Sequence, residues 1–290
     1  MLSVSKNTVK LLRIPFSFYL APVYLLALSQ APSIEPQGAL YSFLILHLLV
    51  YPASNGYNSY VDRDTGSIGG LESPPLPTSE LFRITLLFDL AAVLLAFLFV
   101  HPFFASCVLL YILASRAYSA PGVRLKKYPL GGFFVVVFFQ GAFTCYMALA
   151  GISGHAPRPN LSLLWLLLAC SLQLAAAYPL TQVYQHHADK TAGVQTISML
   201  LGVKGTFIFS LLMFVLCNVS FYFYFNEIDD LKGFFLLQLF LLPLLYFFAD
   251  WCRKVWRDPR AASFRNTMQM NLVSAMCCGT CFSLLFFLRP

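Results

Sequence analysis

The sequence predicts an all-α membrane protein with about nine transmembrane helices. Three observations lead to this fold class. Of the 290 residues, 59% are hydrophobic and only 11% are charged, whereas soluble domains carry about 25% charged residues. Apolar runs long enough to cross a bilayer recur along the whole chain. The basic residues are also sorted by membrane side, which is typical of multi-pass membrane proteins.

The predicted spans follow one another through short connections, so residues 1–290 are expected to form a single multi-pass domain. Only His101 and Pro102 separate the third span from the fourth, which predicts a tight hairpin there. The predicted spans cover residues 14–32, 38–60, 81–101, 103–118, 130–151, 161–185, 200–225, 233–250 and 267–288.

The positions of lysine and arginine predict the orientation. If the N-terminus is cytoplasmic and the spans alternate, sixteen of the 19 lysines and arginines fall on the cytoplasmic side. This bias follows the positive-inside rule and accounts for the formal charge of +7. No basic tract interleaved with aromatic residues stands out, so nucleic acid is excluded as a partner. We expect an integral protein of the cytoplasmic (inner) membrane.

One polar motif occurs twice, with the copies offset by 127 residues. Residues 51–66 read YPASNGYNSYVDRDTG, and residues 178–193 read YPLTQVYQHHADKTAG. Each copy follows an apolar run and is expected at the cytoplasmic face. The chain is therefore predicted to contain an internal repeat, with helices 2–3 matching helices 6–7 and two half-sites facing one pocket. The identical pairs are Tyr51/Tyr178, Pro52/Pro179, Tyr57/Tyr184, Asp62/Asp189 and Gly66/Gly193.

The polar side chains of each copy are predicted to share one helix face, because they are spaced i, i+3 and i+7. Carboxylate and amide oxygens are suitable ligands for Mg²⁺, which commonly also binds phosphate oxygens. The alternative is that these groups cap helices and satisfy one another. We favour a site, because polar residues in a membrane bundle are costly and usually functional. The face consists of Asn55, Asn58 and Asp62 in the first copy and of Gln182, Gln185 and Asp189 in the second.

Basic residues after the fourth span would complete an anion site. Arg124 and Lys126 stand out there, because Tyr118 and Pro121 give their loop a defined turn. A second basic loop, 252–265, is attributed mainly to membrane topology. A further charge, Asp89, lies within the third span, where it either faces a cavity or pairs with a buried donor.

Taken together, these motifs resemble the UbiA superfamily of intramembrane prenyltransferases over nearly the whole chain. The family's two acidic motifs resemble the segments Asn58 to Asp62 and Gln185 to Asp189, and its Tyr-Ser-x-Pro loop resembles the segment from Tyr118 to Lys126. The resemblance implies nine helices around a central cavity that binds Mg²⁺ and a prenyl diphosphate. Diphosphate would depart to leave an allylic cation, which alkylates a membrane-accessible acceptor, usually an aromatic quinone precursor.

The resemblance and the repeat together assign roles to individual residues. The expected catalytic residues are Asp62, Asp189, Arg124 and Lys126. The expected substrate-binding residues are Asn55, Asn58, Tyr118, Gln182, Gln185, Tyr51 and Tyr178. The expected Mg²⁺ ligands are Asn58, Asp62, Asp64, Gln185 and Asp189.

The acidic motifs depart from the family pattern. Ser59, Gly66 and Gln185 stand where the family has carboxylates, and Asp64 is positioned to replace the acid missing at Gly66. Fewer negative charges should weaken Mg²⁺ binding when no diphosphate is present. Two alternatives therefore stay open. The acceptor could be a sugar phosphate, a glycerol lipid or a tetrapyrrole, or the protein could be a non-catalytic carrier of isoprenoids or lipids. The sequence leaves the oligomeric state undetermined.

Overall fold

The computed structural model describes residues 4–289 and is helical throughout. Within this range the only β pairing is an isolated bridge between Ile68 and Leu71. We number the main helices in chain order. They are α1 (Lys6–Gln30), α2 (36–62), α3 (Ser79–Phe99), α4 (Pro102–Ser119), α5 (Pro129–Ser153), α6 (Leu161–Thr181), α7 (Ile197–Glu227), α8 (Leu231–Arg257) and α9 (Phe264–Phe287).

Each predicted span lies on one of these helices, so the all-α membrane fold class is confirmed. Eight of the helices are long and apolar enough to cross a membrane. The helix α2 is not among those eight, because its second half carries the polar motif. The count of nine spans and the internal repeat therefore stay predictions.

Several helices contain local irregularities. In α1, Arg13 adopts a left-handed conformation with φ of 48°, and in α7, Gly202 has φ of 68°. Wide π-helical turns occur at Leu46–Val50 in α2 and at Phe138–Phe143 in α5. Such turns are rare in proteins overall, and those that occur often lie at functional sites. The one in α2 directly precedes the first copy of the repeated motif.

The chain divides into two compact units. The first contains the described residues up to Tyr19 together with Ala31–Leu125 and Met147–Pro157, and the second contains Leu20–Gln30, Lys126–Tyr146 and the chain from Arg158 onward. Each has its own buried apolar cluster. The clusters are Leu11, Leu12, Ile68 and Leu81 in the first unit, and Leu180, Val183, Phe207, Trp251 and Val255 in the second.

Candidate functional site

The first copy of the motif forms the last helical turns of α2. Tyr51 is buried at the start of this segment, and Pro52 follows it. Proline removes one backbone donor and widens the turn before it, which agrees with the π-helical geometry at Leu46–Val50. The helix ends at Arg63, whose φ is 52° and whose backbone N–H donates to the Ser59 carbonyl.

A ladder of side-chain hydrogen bonds joins α2 to α4. The hydroxyls of Ser54 and Ser115 lie 2.6 Å apart, and Asn58 Nδ2 donates to Ser119 Oγ at 2.8 Å. Because the amide nitrogen of Asn58 is engaged in this way, its carbonyl oxygen is the atom suited to a cation. The ladder fixes the register of α2 against the end of α4, where the basic loop begins.

The basic loop brings Arg124 beside Asp62. The chain turns sharply after α4, with the N–H groups of Val123 and Arg124 both donating to the Ala120 carbonyl. Arg124 occupies the left-handed region with φ of 43°, which costs a non-glycine residue about 1–2 kcal/mol. Its Nη2 lies 3.8 Å from Asp62 Oδ1. This separation exceeds hydrogen-bonding distance, so the pair is loose.

One donor of Arg124 is buried and unused. Its Nε has no hydrogen-bond partner within residues 4–289, although buried donors are almost always paired. A guanidinium with an unused donor and only a loose ion pair is suited to binding an anion.

Three further residues that were predicted to belong to the site lie in the first unit. Asn55 is half-buried, and its backbone carbonyl accepts a hydrogen bond from Arg13 Nη2 at 3.0 Å. Tyr118 is half-buried in the last turn of α4, and Asp64 is half-buried in the loop after α2. Asp64 lies two residues after Asp62, and its role as a Mg²⁺ ligand stays a prediction.

Two charged contacts of this unit have partners that the sequence did not identify. The buried Arg13 guanidinium bonds the carbonyls of Asn55 and Gly69, which ties the loop after α2 to α1. The other contact resolves the open question about Asp89. This carboxylate accepts a hydrogen bond from Arg116 Nε at 2.8 Å. It therefore pairs within the helix bundle, and no spacing in the sequence indicates either contact.

The second copy folds differently from the first, and the expectation of one continuous helix face is wrong there. The predicted span 161–185 ends early, because α6 stops at Thr181 in a tight turn that begins at Pro179. The chain then forms turns up to Gln185, and a new short helix, His186–Thr191, carries Asp189. Only Gln185 and Asp189 keep the predicted relation, since the Asp189 N–H donates to the Gln185 carbonyl.

Gln182 lies in a buried polar network. Its Oε1 accepts from the Ser198 backbone N–H at 3.4 Å, and His186 Nε2 lies 2.7 Å from the Ser198 hydroxyl. The Ser198 hydroxyl in turn lies 3.0 Å from Thr206 Oγ1. Burial lowers the pKa of His186 below its ordinary value of 6.5. The network connects the second motif to the start of α7, and the predicted role of Gln182 in substrate binding stays a prediction.

The remaining predicted residues of the second unit are partly accessible. Gln185, Asp189 and Tyr178 are half-buried, and Lys126 is half-buried in the short turn Leu125–Lys127. Gly193 has φ of 66°, which allows the chain to reverse so that the Val194 N–H reaches the Asp189 carbonyl. This reversal fixes the backbone that carries Asp189.

The donor set fits Mg²⁺ bound together with phosphate. Among the described residues, no group of three or more histidine, cysteine or acidic side chains could hold a metal ion. Mg²⁺ does not need such a cage, because it is usually held by one or two carboxylates and by substrate phosphates. Asn58 with Asp62 in the first unit and Gln185 with Asp189 in the second each offer one amide and one carboxylate, four residues apart.

Comparison with known proteins gives one consistent family. A model of the UbiA prenyltransferase family matches residues 17–274. A UbiA homolog from Archaeoglobus fulgidus, solved with GPP and Mg²⁺, has a TM-score of 0.67 at 17% identity and covers 98% of this chain and 100% of its own. The apo UbiA homolog from Aeropyrum pernix K1 also has a TM-score of 0.67 at 17% identity, with coverages of 93% and 97%.

A third structure, of a digeranylgeranylglyceryl phosphate synthase, has a TM-score of 0.58 at 15% identity, with coverages of 97% and 96%. No curated protein matches the chain. At these identities the solved structures support the fold, and the family model supports membership.

Proposed function

The chain belongs to the UbiA prenyltransferase family, and we propose that it transfers an isoprenyl group from a prenyl diphosphate to an acceptor within the membrane. The observation that carries this proposal is the position of Arg124. A guanidinium held beside Asp62 with a buried, unused donor is suited to a diphosphate whose metal ion Asp62 would share.

Basic side chains and metal ligands have separate proposed roles when the diphosphate departs. Arg124, with Lys126 as a second cation, would bind the diphosphate and stabilise the negative charge that develops on it. Asn58, Asp62 and Asp64, and in the second unit Gln185 and Asp189, are the proposed Mg²⁺ ligands. Mg²⁺, when bound, would offset part of the diphosphate charge. The proposed roles of Asn55, Tyr51, Tyr118 and Tyr178 are to contact the substrate.

The proposal also concerns the acceptor of the isoprenyl group. We propose an aromatic, quinone-precursor-like acceptor, as is usual for this family, reached from the bilayer. A glycerol lipid is the second candidate, because a digeranylgeranylglyceryl phosphate synthase has the same fold. The membrane concerned is proposed to be the cytoplasmic membrane, with the active site on its cytoplasmic side, as the distribution of basic residues indicates.

The test is consumption of radiolabelled prenyl diphosphate by the purified full chain in nanodiscs, with and without Mg²⁺. Donors of several chain lengths are combined with aromatic, glycerol-lipid, sugar-phosphate and tetrapyrrole acceptors. We expect Mg²⁺-dependent release of diphosphate and a labelled lipid product with one acceptor class. Folded protein that binds diphosphate but consumes no donor with any acceptor would favour the carrier hypothesis.

A further inference from the structure

The second unit contains a cavity among four of its helices. It lies among α6, α7, α8 and α9, and the empty space there is about 780 Å³ when the open solvent at its mouth is included. Leucine and phenylalanine make up half of the lining residues, and none of the lining residues is acidic, basic or histidine. None of the predicted site residues lines it. A charged ligand would therefore be buried there without a counter-charge, which is costly.

Two polar atoms in the wall lack partners. Gln173 Oε1 and Ser210 Oγ are buried, and neither has a hydrogen-bond partner within the described chain. Ser210 is 2% exposed, and serine in a helix ordinarily bonds a carbonyl of its own helix. Unpaired buried polar atoms are rare in native proteins. Two of them in one apolar wall indicate that a ligand completes their hydrogen bonds.

The partners of Gln173 determine which hydrogen bond it still needs. Its Nε2 donates to Cys278 Sγ at 3.3 Å, so Oε1 is the remaining atom and can only accept. The Ser210 hydroxyl can donate or accept. A ligand that satisfies both atoms must bring at least one donor, and an alcohol or phenol hydroxyl provides a donor and an acceptor on one atom.

Part of the cavity wall belongs to a helix that is predicted to cross the bilayer. Leu211, next to Ser210, lines the cavity and is 47% exposed on α7. Because no lining residue is charged, we expect an apolar ligand to enter from the bilayer.

We propose that this cavity binds a neutral, membrane-dissolved hydrocarbon that carries one hydroxyl group. The hydroxyl donates to Gln173 Oε1 and accepts from Ser210 Oγ, while the hydrocarbon packs against the leucine and phenylalanine side chains. This is a second lipid site, separate from the residues proposed to bind the diphosphate, and it does not depend on the proposed reaction.

The experiment measures binding of tritiated farnesol to the full chain in nanodiscs, with farnesyl methyl ether and farnesene as unlabelled competitors. The ether cannot donate a hydrogen bond, and farnesene lacks the oxygen. We expect farnesol to bind about tenfold more tightly than either competitor, since one well-formed hydrogen bond in an apolar pocket is of that order. Equal binding of all three molecules would overturn the proposal.

Two variants test where the hydroxyl group of the ligand binds. Gln173→Leu removes the acceptor and is expected to reduce the preference for farnesol over the ether to less than about threefold. Ser210→Ala removes the donor, which the ether can also use, and is therefore expected to reduce the preference for farnesol over farnesene. Ser220→Ala is the matched control on α7, because Ser220 is also buried but its hydroxyl already donates to the Leu216 carbonyl. Its preferences should equal those of the parent. Unchanged preferences in both Ser210→Ala and Gln173→Leu would refute the assignment, and Ser210→Ala alone decides it if Gln173→Leu does not fold.

A saturating amount of farnesyl thiodiphosphate with Mg²⁺ distinguishes the two sites. Its charged group is unsuited to the cavity, so we expect farnesol to remain bound. Complete displacement of farnesol would place the probe in the diphosphate site and overturn the proposal. Failure of the prenyl-transfer assay would leave the farnesol result unchanged.

Discussion

At the scale of single residues, the strongest feature is that Arg124 keeps an unfavourable backbone conformation and an incomplete set of partners. Its φ of 43° opposes stability, and its loose ion pair with Asp62, at 3.8 Å, contributes little to stability. Local strain of this kind persists where the surrounding structure imposes it, and it is common at functional sites. Arg124 is therefore the residue at which function and stability are expected to diverge.

Arg124→Ala should lower turnover by about 10²-fold or more, because it removes a charge that stabilises the departing diphosphate. Arg257→Ala is the control, since Arg257 is exposed in the last turn of α8 and is attributed to topology. It should change turnover much less. The measurement is diphosphate release by purified variants with matched thermal unfolding, and equal losses would show that the wrong basic loop was chosen.

Gln185 tests whether an amide replaces the family carboxylate as a metal ligand. Gln185→Asp restores a negative charge one turn from Asp189 and should tighten Mg²⁺ binding while activity is retained. Gln185→Leu removes the ligand oxygen at similar size and should lower activity sharply. The assay is the Mg²⁺ concentration dependence of turnover. A purely structural role for Gln185 would leave that dependence unchanged in both variants.

His186 predicts a pH dependence in the second motif. Its pKa is lowered by burial, so the folded segment favours the neutral ring, and the unfolded segment binds the proton more readily. Stability of this segment is complete above the ordinary value of 6.5 and decreases as the pH falls below it. Hydrogen exchange of residues 182–198, corrected for intrinsic rates, should speed up between about pH 7.5 and 5.5. His186→Gln should remove this change, and a persisting change would assign it to another group.

At the scale of helices, the sequence predicts position well and local shape poorly. The apolar runs predict the approximate positions of the nine main helices, because about 20 apolar residues span a bilayer whatever their neighbours are. The two motif copies share Pro52 and Pro179, yet only the second interrupts its helix. That difference depends on which backbone groups find new partners after a proline, and those partners belong to other helices. For the same reason the sequence left open whether Asp89 pairs, and it did not identify Arg116 as the partner.

Close contact between α5 and α6 gives a stability prediction for Gly141. A Cβ added there would lie 2.6 Å from Ser171 Cα and 2.8 Å from the Cys170 carbonyl oxygen. Both are backbone atoms, so the helices must separate. Gly141→Ala should therefore lower the unfolding free energy by about 1–3 kcal/mol.

Gly205→Ala on α7 is the control for Gly141, because the nearest atom to an added Cβ there is 3.4 Å away. Alanine favours helix over glycine by about 1 kcal/mol, so this change should be neutral or stabilising. Thermal unfolding in detergent compares the two variants. Equal midpoints for Gly141→Ala and the parent would show that α5 and α6 can move apart at little cost.

At the scale of the whole molecule, fold class and membrane character follow from composition and periodicity, because these are sums over many residues. Within the candidate site, the sequence predicted the relation of residues that are close together in the chain, as with Asn58 and Asp62 on one helix. The relation was missed where distant residues meet, as with Arg13, whose guanidinium reaches carbonyls 42 and 56 positions away. The cavity of the second unit was missed for the same reason, because no pattern in the sequence indicates that Gln173 and Ser210 line one cavity.

The orientation of the chain remains a prediction from charge, and cysteine labelling can test it. Thr65 and Thr191 are exposed at the ends of the two motif copies, and Asn226 is exposed at the end of α7. If the positive-inside assignment holds, Thr65→Cys and Thr191→Cys should react with an impermeant maleimide only from the cytoplasmic side. Asn226→Cys should react only from the opposite side. The background must carry Cys252→Ser and Cys277→Ser, because these are the two cysteines that are not buried. Labelling of residues 65 and 191 from opposite sides would mean that an odd number of spans was miscounted between the copies, and the two acidic motifs could then not serve one reaction.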